Sequence, residues 1–412
     1  MLNFHELTDF EFSEVLADGL MSSNPDKSFS DERVKFLNEI SKRILSDADS
    51  RAFPDLVTFG FFVRSSSIKQ YISNHPPLLT HTRMGVGTAL HISPANIPIN
   101  FAFSWMYGFL SGCNNLVRLP TTVYPQIELF MKIFLDLVTQ PEFNKYGETN
   151  HFFRSVRDDP RVDDLVQKVD AVLLWGGDRT ISSFQRKLVS TDVRQLLFPS
   201  RQSSAVLSSE ATIITLASPN RNKFLELAYN DTFLTDCNAC SSPSKFFFIG
   251  STKSNTEASH KFFEALDQYV LLQNRKPPII QRMMDSFEVR GTSPHDFQLQ
   301  YHGPSIRTIG PLKGSHFSGR PLRFGTFVVH TLPDLSNLAS KLSLNEQTVL
   351  HWGLKVEEVE KLGSDLSKSH TSVTRLVPFG RALDIGFFWE GRDNPSGLVT
   401  FFENRGGEIF NK

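Results

Sequence analysis

Gly87-Thr88-Ala89-Leu90-His91-Ile92-Ser93-Pro94-Ala95-Asn96-Ile97-Pro98, followed by Ser111-Gly112-Cys113-Asn114-Asn115-Leu116-Val117-Arg118-Leu119-Pro120, is the stretch on which the reading of the fold turns. An apolar run, Val86 to Ile92, reads as a strand that leads into a polar turn at Ser93 to Asn96. The spacing then predicts a helix from about Pro98 to Leu110, since proline suits a first helical turn. Leu116-Val117 centres a second strand, and Pro125 opens a helix whose Ile127, Phe130, Met131, Phe134 and Val138 share one face. Short continuous apolar runs alternating with amphipathic ones are the pattern of a parallel sheet with crossover helices.

Working outward, Val34, Leu37, Ile40, Ile44 and Leu45 recur at helical spacing and predict a leading helix over about Asp31 to Leu45. Downstream, strands fall near His151 to Val156 and Ala171 to Trp175, with an amphipathic Val162 to Val169 between them, which gives four strands in this half. A second set opens with a short strand near Ala205 and an apolar run at Ile213 to Leu216. It continues with a helix from about Pro219 to Tyr229, a strand Lys245 to Gly250 and a helix Glu257 to Leu272. Asn274 to Gly325, rich in Pro, Gly, Ser and His, reads as irregular and substrate-facing. Thr326 to His330 and Leu398 to Phe402 are strand-like.

At 412 residues the chain is longer than one core usually organises, so two domains are expected, over 1–205 and 206–412. With 43 basic and 44 acidic residues, no net field draws nucleic acid or an anionic membrane. The first residues, Met1 to Glu6, lack the continuous apolar run of a secretory signal, and the longest apolar runs fall well short of the ~20 residues of a membrane-spanning helix. Three cysteines cannot build a disulfide framework, which leads to the expectation of a reduced, cytoplasmic compartment. Phenylalanine, at 37 copies, either lines an apolar channel or fills the core, and the core is the favoured reading.

Asp236-Cys237-Asn238-Ala239-Cys240-Ser241-Ser242-Pro243 lies between a helix and a strand, where catalytic groups are commonly presented. By residue type alone each thiol is also read as a small buried hydrophobe, a redox partner or half of a metal site. A zinc site needs two further ligands at short spacing, and the sequence offers no such pair, so no metal is expected. Ala171 to Trp175 runs into Gly176-Gly177-Asp178, a strand-to-helix turn whose helix N-terminus is suited to a phosphate; a plain tight turn accounts for two glycines equally well.

Taken in order, these segments resemble the aldehyde-dehydrogenase-like superfamily and, within it, the LuxC acyl-CoA reductase family. The resemblance is carried by Gly87 to Pro98, Ser111 to Pro120, Leu174 to Asp178, Asn238 to Pro243 and Pro378-Phe379-Gly380-Arg381-Ala382-Leu383-Asp384-Ile385, and covers about residues 80 to 395. It implies an α/β, aldehyde-dehydrogenase-like fold: two Rossmann-like domains with parallel-rich sheets, the first cofactor-binding and the second catalytic, and a C-terminal strand available for oligomerisation. It also implies that Cys240 is the nucleophile and that Asn96 donates to the oxyanion, although a helix N-cap before Pro98 remains the structural alternative for Asn96. Ser93, Pro94, Gly176, Gly177 and Asp178 map to the cofactor site.

Two departures sharpen the expectation. Where NAD-using relatives carry Lys-Pro-Ser-Glu, this chain has Leu119-Pro120-Thr121-Thr122 preceded by Arg118. Loss of the glutamate, with Arg118 and Thr122 in reach of a ribose 2′-phosphate, favours NADPH, the alternative for Arg118 being an ordinary solvated arginine. The region Leu196 to Ser204, where hydrolytic relatives carry a water-activating glutamate, has no acidic residue. Reduction of an acyl-CoA to an aldehyde through a Cys240 acyl-enzyme is therefore expected, in a homo-oligomer served by an acyl-CoA or by an acyl-transferring partner enzyme. An acyl-phosphate reductase and a non-catalytic acyl-holding subunit are the alternatives.

Overall fold

A computed structural model describes residues 14–75, 82–94, 96–156, 158–188, 190–273, 279–292, 299–310, 322–369 and 371–402. Met1 to Glu6 and parts of the 274–325 segment lie outside them. The chain forms two compact units: Met1–Pro199 with Ile385–Lys412, and Ser200–Asp384.

In the first unit β1 (Thr82–Gly85) precedes β2 (Thr88–Ile92), β3 (Asn114–Leu119), β4 (Asn150–Arg154), β5 (Ala171–Trp175) and β6 (Arg194–Phe198). The last five form a parallel sheet in the order β4-β3-β2-β5-β6. Sequence periodicity supplies four of these strands; β6, with only Leu196 and Phe198 buried, is too mixed to stand out. β2 and β5 are buried at every residue, which is why they read as continuous apolar runs.

The connecting helix is Asn100–Ser111, two residues later than expected, and it is buried throughout. Its N-cap is Ile99. Pro98 sits instead in the preceding turn, in which the Asn100 N–H donates to the Ile97 carbonyl. Gly112 closes the helix at φ 89°, a left-handed C-cap that glycine adopts without strain. The leading helix, Asp31–Ser46, is capped by Ser30. Phenylalanine packs as core: Phe36 meets Phe134 and Phe143 edge-on, and Trp105 stands against Phe130.

The sheet is joined to its helix by a buried polar chain. His91 bonds Ser104 Oγ through Nδ1 at 2.9 Å and Asn115 Oδ1 through Nε2 at 3.0 Å. The Trp175 indole N–H donates to the same Ser104 oxygen at 3.0 Å. Asn115 Nδ2 donates to Asn150 Oδ1 at 2.8 Å, which also takes the Trp105 indole N–H at 2.7 Å. The helix approaches closely enough that a Cβ on Gly108 would lie 2.1 Å from Asn115 Oδ1.

The second unit contains β7 (Gln202–Ser208), β8 (Pro243–Ile249), β9 (Leu299–Tyr301), β10 (Arg307–Ile309), β11 (Thr326–Leu332), β12 (Glu346–Trp352) and β13 (Arg375–Pro378). Their order is β13-β12-β7-β8-β11-β10-β9, and every pairing is parallel except β9 with β10. Ile213 to Leu216 is the end of the helix Ser209–Leu216. The expected irregular stretch from Asn274 to Gly325 holds the helix Ile279–Thr292 as well as β9 and β10. Strands of three residues and a helix with an exposed apolar side, at Ile280, Met283, Met284 and Phe287, give no clear periodicity. The core again is phenylalanine-rich, with Phe246, Phe262, Phe263 and Phe327 in mutual contact.

After the second unit the chain re-enters the first. β14 (Phe388–Trp389) and β15 (Arg392–Asp393) form a short ribbon, and β16 (Val399–Phe402) pairs antiparallel with β1 of the same chain. Asp393 accepts from the Tyr71 hydroxyl at 2.5 Å and from Ser396 Oγ at 2.7 Å. Arg194 donates to the Val399 carbonyl at 2.8 Å, so the returning segment is hydrogen-bonded to both early and late parts of its unit.

Burial pushes His91 down to about 4, below the ordinary histidine value of about 6.5. The unfolded chain therefore binds a proton that the folded one refuses, and this contribution to stability is complete above about pH 6.5 and lost as pH falls towards 4. Over that interval His91 should account for about 3 kcal/mol. Equilibrium unfolding of wild type and His91→Gln between pH 4 and 7.5 should give a shallower acid limb for the variant; parallel limbs would contradict the buried neutral imidazole.

Candidate active site

In the first unit the sheet reverses direction at β2. The chain proceeds from β2 outward to β3 and β4, then returns to lay β5 against the other side of β2, with Ile92 beside Leu174. Ligands of open parallel sheets lie outside the carboxyl ends of strands at such a reversal, where the two following loops diverge. Ser93 and Pro94 follow β2 there, and Gly176, Gly177 and Asp178 follow β5. Arg118 is near the end of β3, and Thr122 follows it on an exposed turn.

Each of these residues has a definite local setting. Ser93 Oγ is buried and has no hydrogen-bond partner among the described residues. Gly177 is the N-cap of the helix Asp178–Gln185, at φ −67° and ψ 155°, so its backbone does not require glycine. At Gly176 a Cβ would meet only Thr180, at an ordinary 3.4 Å. The tight-turn explanation therefore loses its force at both positions. Asp178 occupies the first helical position and is exposed, where a carboxylate suits the helix dipole.

Arg118 is half-buried and is not an ordinary solvated arginine: its Nη2 donates to the carbonyls of Ser155 at 3.1 Å and Val156 at 2.8 Å. Those bonds fix the guanidinium against the end of β4. Asn96 lies in the turn before the helix, and because the N-cap is Ile99, the capping role is removed.

Cys240 belongs to the second unit. It sits in a turn just before β8, hence at the amino ends of the parallel strands. In the two residues before Asn238, Asp236 (φ 51°) and Cys237 (φ 57°), the backbone is left-handed, a costly conformation for residues with a side chain. It is held by the Cys237 N–H on the Thr232 carbonyl at 2.8 Å and by the Phe324 N–H on the Asp236 carbonyl at 3.1 Å. The Ser203 hydroxyl donates to the Cys240 carbonyl at 2.8 Å, and the Thr348 N–H donates to Ser203 Oγ at 3.2 Å.

The three cysteines, none of them in a disulfide, are thereby separated in kind. Cys237 is buried in the phenylalanine core, which is the small-hydrophobe reading, and Cys113 is buried so completely that its thiol is pushed up to about 11. Cys240 is partly exposed. Among the described residues no group of three His, Cys, Asp or Glu could hold a metal.

Periodicity does not reveal β12 and β13; β12 reaches the Cys240 turn through Thr348 and Ser203, and β13 lies beside β12. Glu346 opens β12 and is fully buried, with its carboxylate taken by Lys245 Nζ at 2.9 Å, Ser343 Oγ at 2.7 Å and Ser204 Oγ. A carboxylate so occupied is poorly suited to activating water. Asp231, pushed up to about 7 by burial, accepts from the N–H groups of Gly380 at 2.6 Å and Ala382 at 2.9 Å. Arg375 binds the carbonyls of Arg381, Ala382 and Asp384. The Pro378 to Asp384 motif is thus a turn clamped by one acid and one base.

The family model for LuxC, described as acyl-CoA reductase, matches residues 64–285, more than half of the chain. The chain belongs to the LuxC acyl-CoA reductase family. Solved structures agree on the fold: an oxidoreductase from Marinobacter aquaeolei is similar with a TM-score of 0.68 at 9% identity, over 97% of this chain and 90% of that one. An NAD-dependent aldehyde dehydrogenase from Sinorhizobium meliloti is similar with a TM-score of 0.68 at 10% identity, over 99% and 88%. An NADP-dependent enzyme from E. coli gives 0.65 at 11% identity, over 97% and 89%. No curated protein matches the sequence. The fold of this LuxC family member is that of the aldehyde dehydrogenases, α/β with parallel-rich sheets, and no described helix is long and apolar enough to cross a membrane.

Removing one partner of the buried Lys245–Glu346 pair leaves an uncompensated charge, at a cost of about 3–5 kcal/mol, whereas removing both is far milder. Urea unfolding should show a large loss for Lys245→Met and recovery of most of it in Lys245→Met/Glu346→Leu. Additive losses would mean that the two groups are not coupled.

Proposed function

We propose that this LuxC family member reduces an acyl-CoA thioester to an aldehyde with NADPH, through an acyl-enzyme on Cys240. The observation that carries the reading is the contrast among the thiols: the cysteine of the family's Asn-Ala-Cys-Ser-Ser-Pro segment is the partly exposed one, in a turn fixed by Ser203, while Cys113 and Cys237 are buried. The Cys240 thiolate attacks the acyl carbon, and the carbonyl electrons move to oxygen. Asn96 is proposed to donate its side-chain amide to that oxyanion, together with the Cys240 N–H. When the carbonyl re-forms, the CoA thiolate leaves and the acyl group remains on Cys240 as a thioester.

The cofactor residues fit a dinucleotide: a buried Ser93 hydroxyl without a partner among the described residues, glycines at 176 and 177 that the backbone does not demand, and a helix N-terminus for the pyrophosphate. When bound, NADPH supplies the hydride that takes the acyl group to the aldehyde level. Cys240 is then the leaving group that frees the aldehyde. Arg118 and Thr122 are proposed to favour the 2′-phosphate, with Arg118 pre-oriented by the Ser155 and Val156 carbonyls. Glu346, locked in its ion pair, supports release of the acyl group by reduction rather than hydrolysis. A cytoplasmic homo-oligomer that receives acyl groups from a partner enzyme completes the proposal.

Cys240→Ala should abolish acyl-CoA-dependent NADPH oxidation and acyl labelling, and Cys237→Ser should retain both; loss of labelling in the Cys237 variant alone would overturn the assignment. Arg118→Ala should raise the KM for NADPH by about ten- to a hundredfold, the worth of one charge-assisted hydrogen bond, and leave NADH use nearly unchanged. Equal losses with both cofactors would assign Arg118 to the support of the Ser155–Val156 turn, and a wild-type preference for NADH would sink the cofactor proposal.

A further inference from the structure

Arg375 opens β13 in register with Thr348 of β12. Its Nη1 donates to Thr348 Oγ1 at 3.4 Å and to the Ala382 carbonyl at 3.1 Å, and its Nη2 donates to the carbonyls of Arg381 and Asp384, each at 3.1 Å. From Thr348 the connection continues to Cys240, because the Thr348 N–H donates to Ser203 Oγ and the Ser203 hydroxyl to the Cys240 carbonyl. Two residues, Thr348 and Ser203, therefore link a half-buried cation to the proposed nucleophile within one unit. We propose that Arg375 is a positioning residue for that nucleophile, its guanidinium held beside the Cys240 turn so that the thiol loses its proton to solvent and stands as the thiolate. This rests on the reading of Cys240 as the reacting thiol.

The charges around the guanidinium have the required sign. Burial draws its pKa down; the acidic groups near it, Asp384, the Cys240 thiol when ionised and Asp231, oppose that, while Arg381 adds to it. Such an interaction is reciprocal: a thiolate that stabilises the guanidinium is stabilised by it to the same extent, and an adjacent arginine lowers a thiol pKa. Neighbouring charges are largely matched elsewhere. Asp384 pairs with Arg381, Asp231 is occupied by two backbone N–H groups, and Lys245 pairs with Glu346. Arg323, from the segment before β11, donates to Asn238 Oδ1 at 3.4 Å, so it too is a cation facing this turn, alongside the acid Asp236.

The test is the pH profile of alkylation at Cys240 by iodoacetamide, resolved by peptide mass spectrometry on the full chain. The wild-type midpoint is expected below the ordinary thiol value of about 8.5. Arg375→Gln should raise it by about one unit and slow alkylation at pH 7 by about tenfold. Arg375→Lys should leave the midpoint nearly in place while lowering Tm, since a lysine keeps the charge but not the fork of bonds to three carbonyls. An ordinary wild-type midpoint, an unmoved midpoint in folded Arg375→Gln, or a midpoint that rises in Arg375→Lys in step with lost stability overturns the proposal. Should Arg375→Gln fail to fold, Thr348→Val takes its place: loss of the bond that ties the guanidinium to Thr348 Oγ1 should raise the midpoint, and no shift overturns the proposal. Alkylation needs no acyl-CoA, so these outcomes are separate from the turnover of Cys240→Ala, which decides the functional reading itself.

Discussion

A single buried imidazole holds the first unit together. β2 is covered on both faces, so His91 at its centre has no water to bond and must find both partners inside the protein. Ser104 and Asn115 provide them, and each passes the constraint on, Ser104 to the Trp175 indole and Asn115 to Asn150. β3, β4 and β5 are thereby tied to β2 and to the helix Asn100–Ser111. The proposed cofactor residues extend from the ends of that frame: Ser93 is two residues beyond His91, and Gly176 is the residue after Trp175. Trp175 is fixed twice, since its ring also stacks on Phe198 of β6 at 3.7 Å.

The second unit meets a different demand, that of presenting a thiol from a turn without leaving buried polar groups unpaired. It does so with charge. Lys245 and Glu346 neutralise each other at the amino ends of β8 and β12, and Asp231 with Arg375 secures the N–H and C=O groups of the turn that follows β13. A buried ion pair adds little stability of its own, because desolvation offsets most of the attraction. Its value here is geometric: Glu346 takes the hydroxyl of Ser204, next to Ser203, and Arg375 takes Thr348 Oγ1.

Much of this architecture was legible in the residues. Runs buried on both faces, such as Ala171 to Trp175, carry their own signature, and the helix Pro125–Val138 shows its face by period alone. Other strands do not: β6 is half-polar because one side meets solvent, and β9 and β10 are three residues each. The helix start at Asn100 was misplaced because proline permits a first turn but equally permits the turn that precedes one. Motif order located Cys240, Asn96 and the Gly176-Gly177 turn as candidates, and local chemistry alone left more than one reading for each.

What the sequence determined by itself was the class of fold, the parallel character of its sheets and the family, since these follow from periodicity and from ordered local motifs. Tertiary structure decided which neighbours each candidate acquires. Only strand pairing places Thr348 and Arg375 behind a cysteine more than a hundred residues earlier, buries Cys237 while leaving Cys240 partly exposed, and turns Glu346 from a carboxylate into half of an ion pair. The reason is physical: hydrogen bonding and desolvation depend on distance in space, and a parallel sheet joins residues whose separation along the chain carries no record of it.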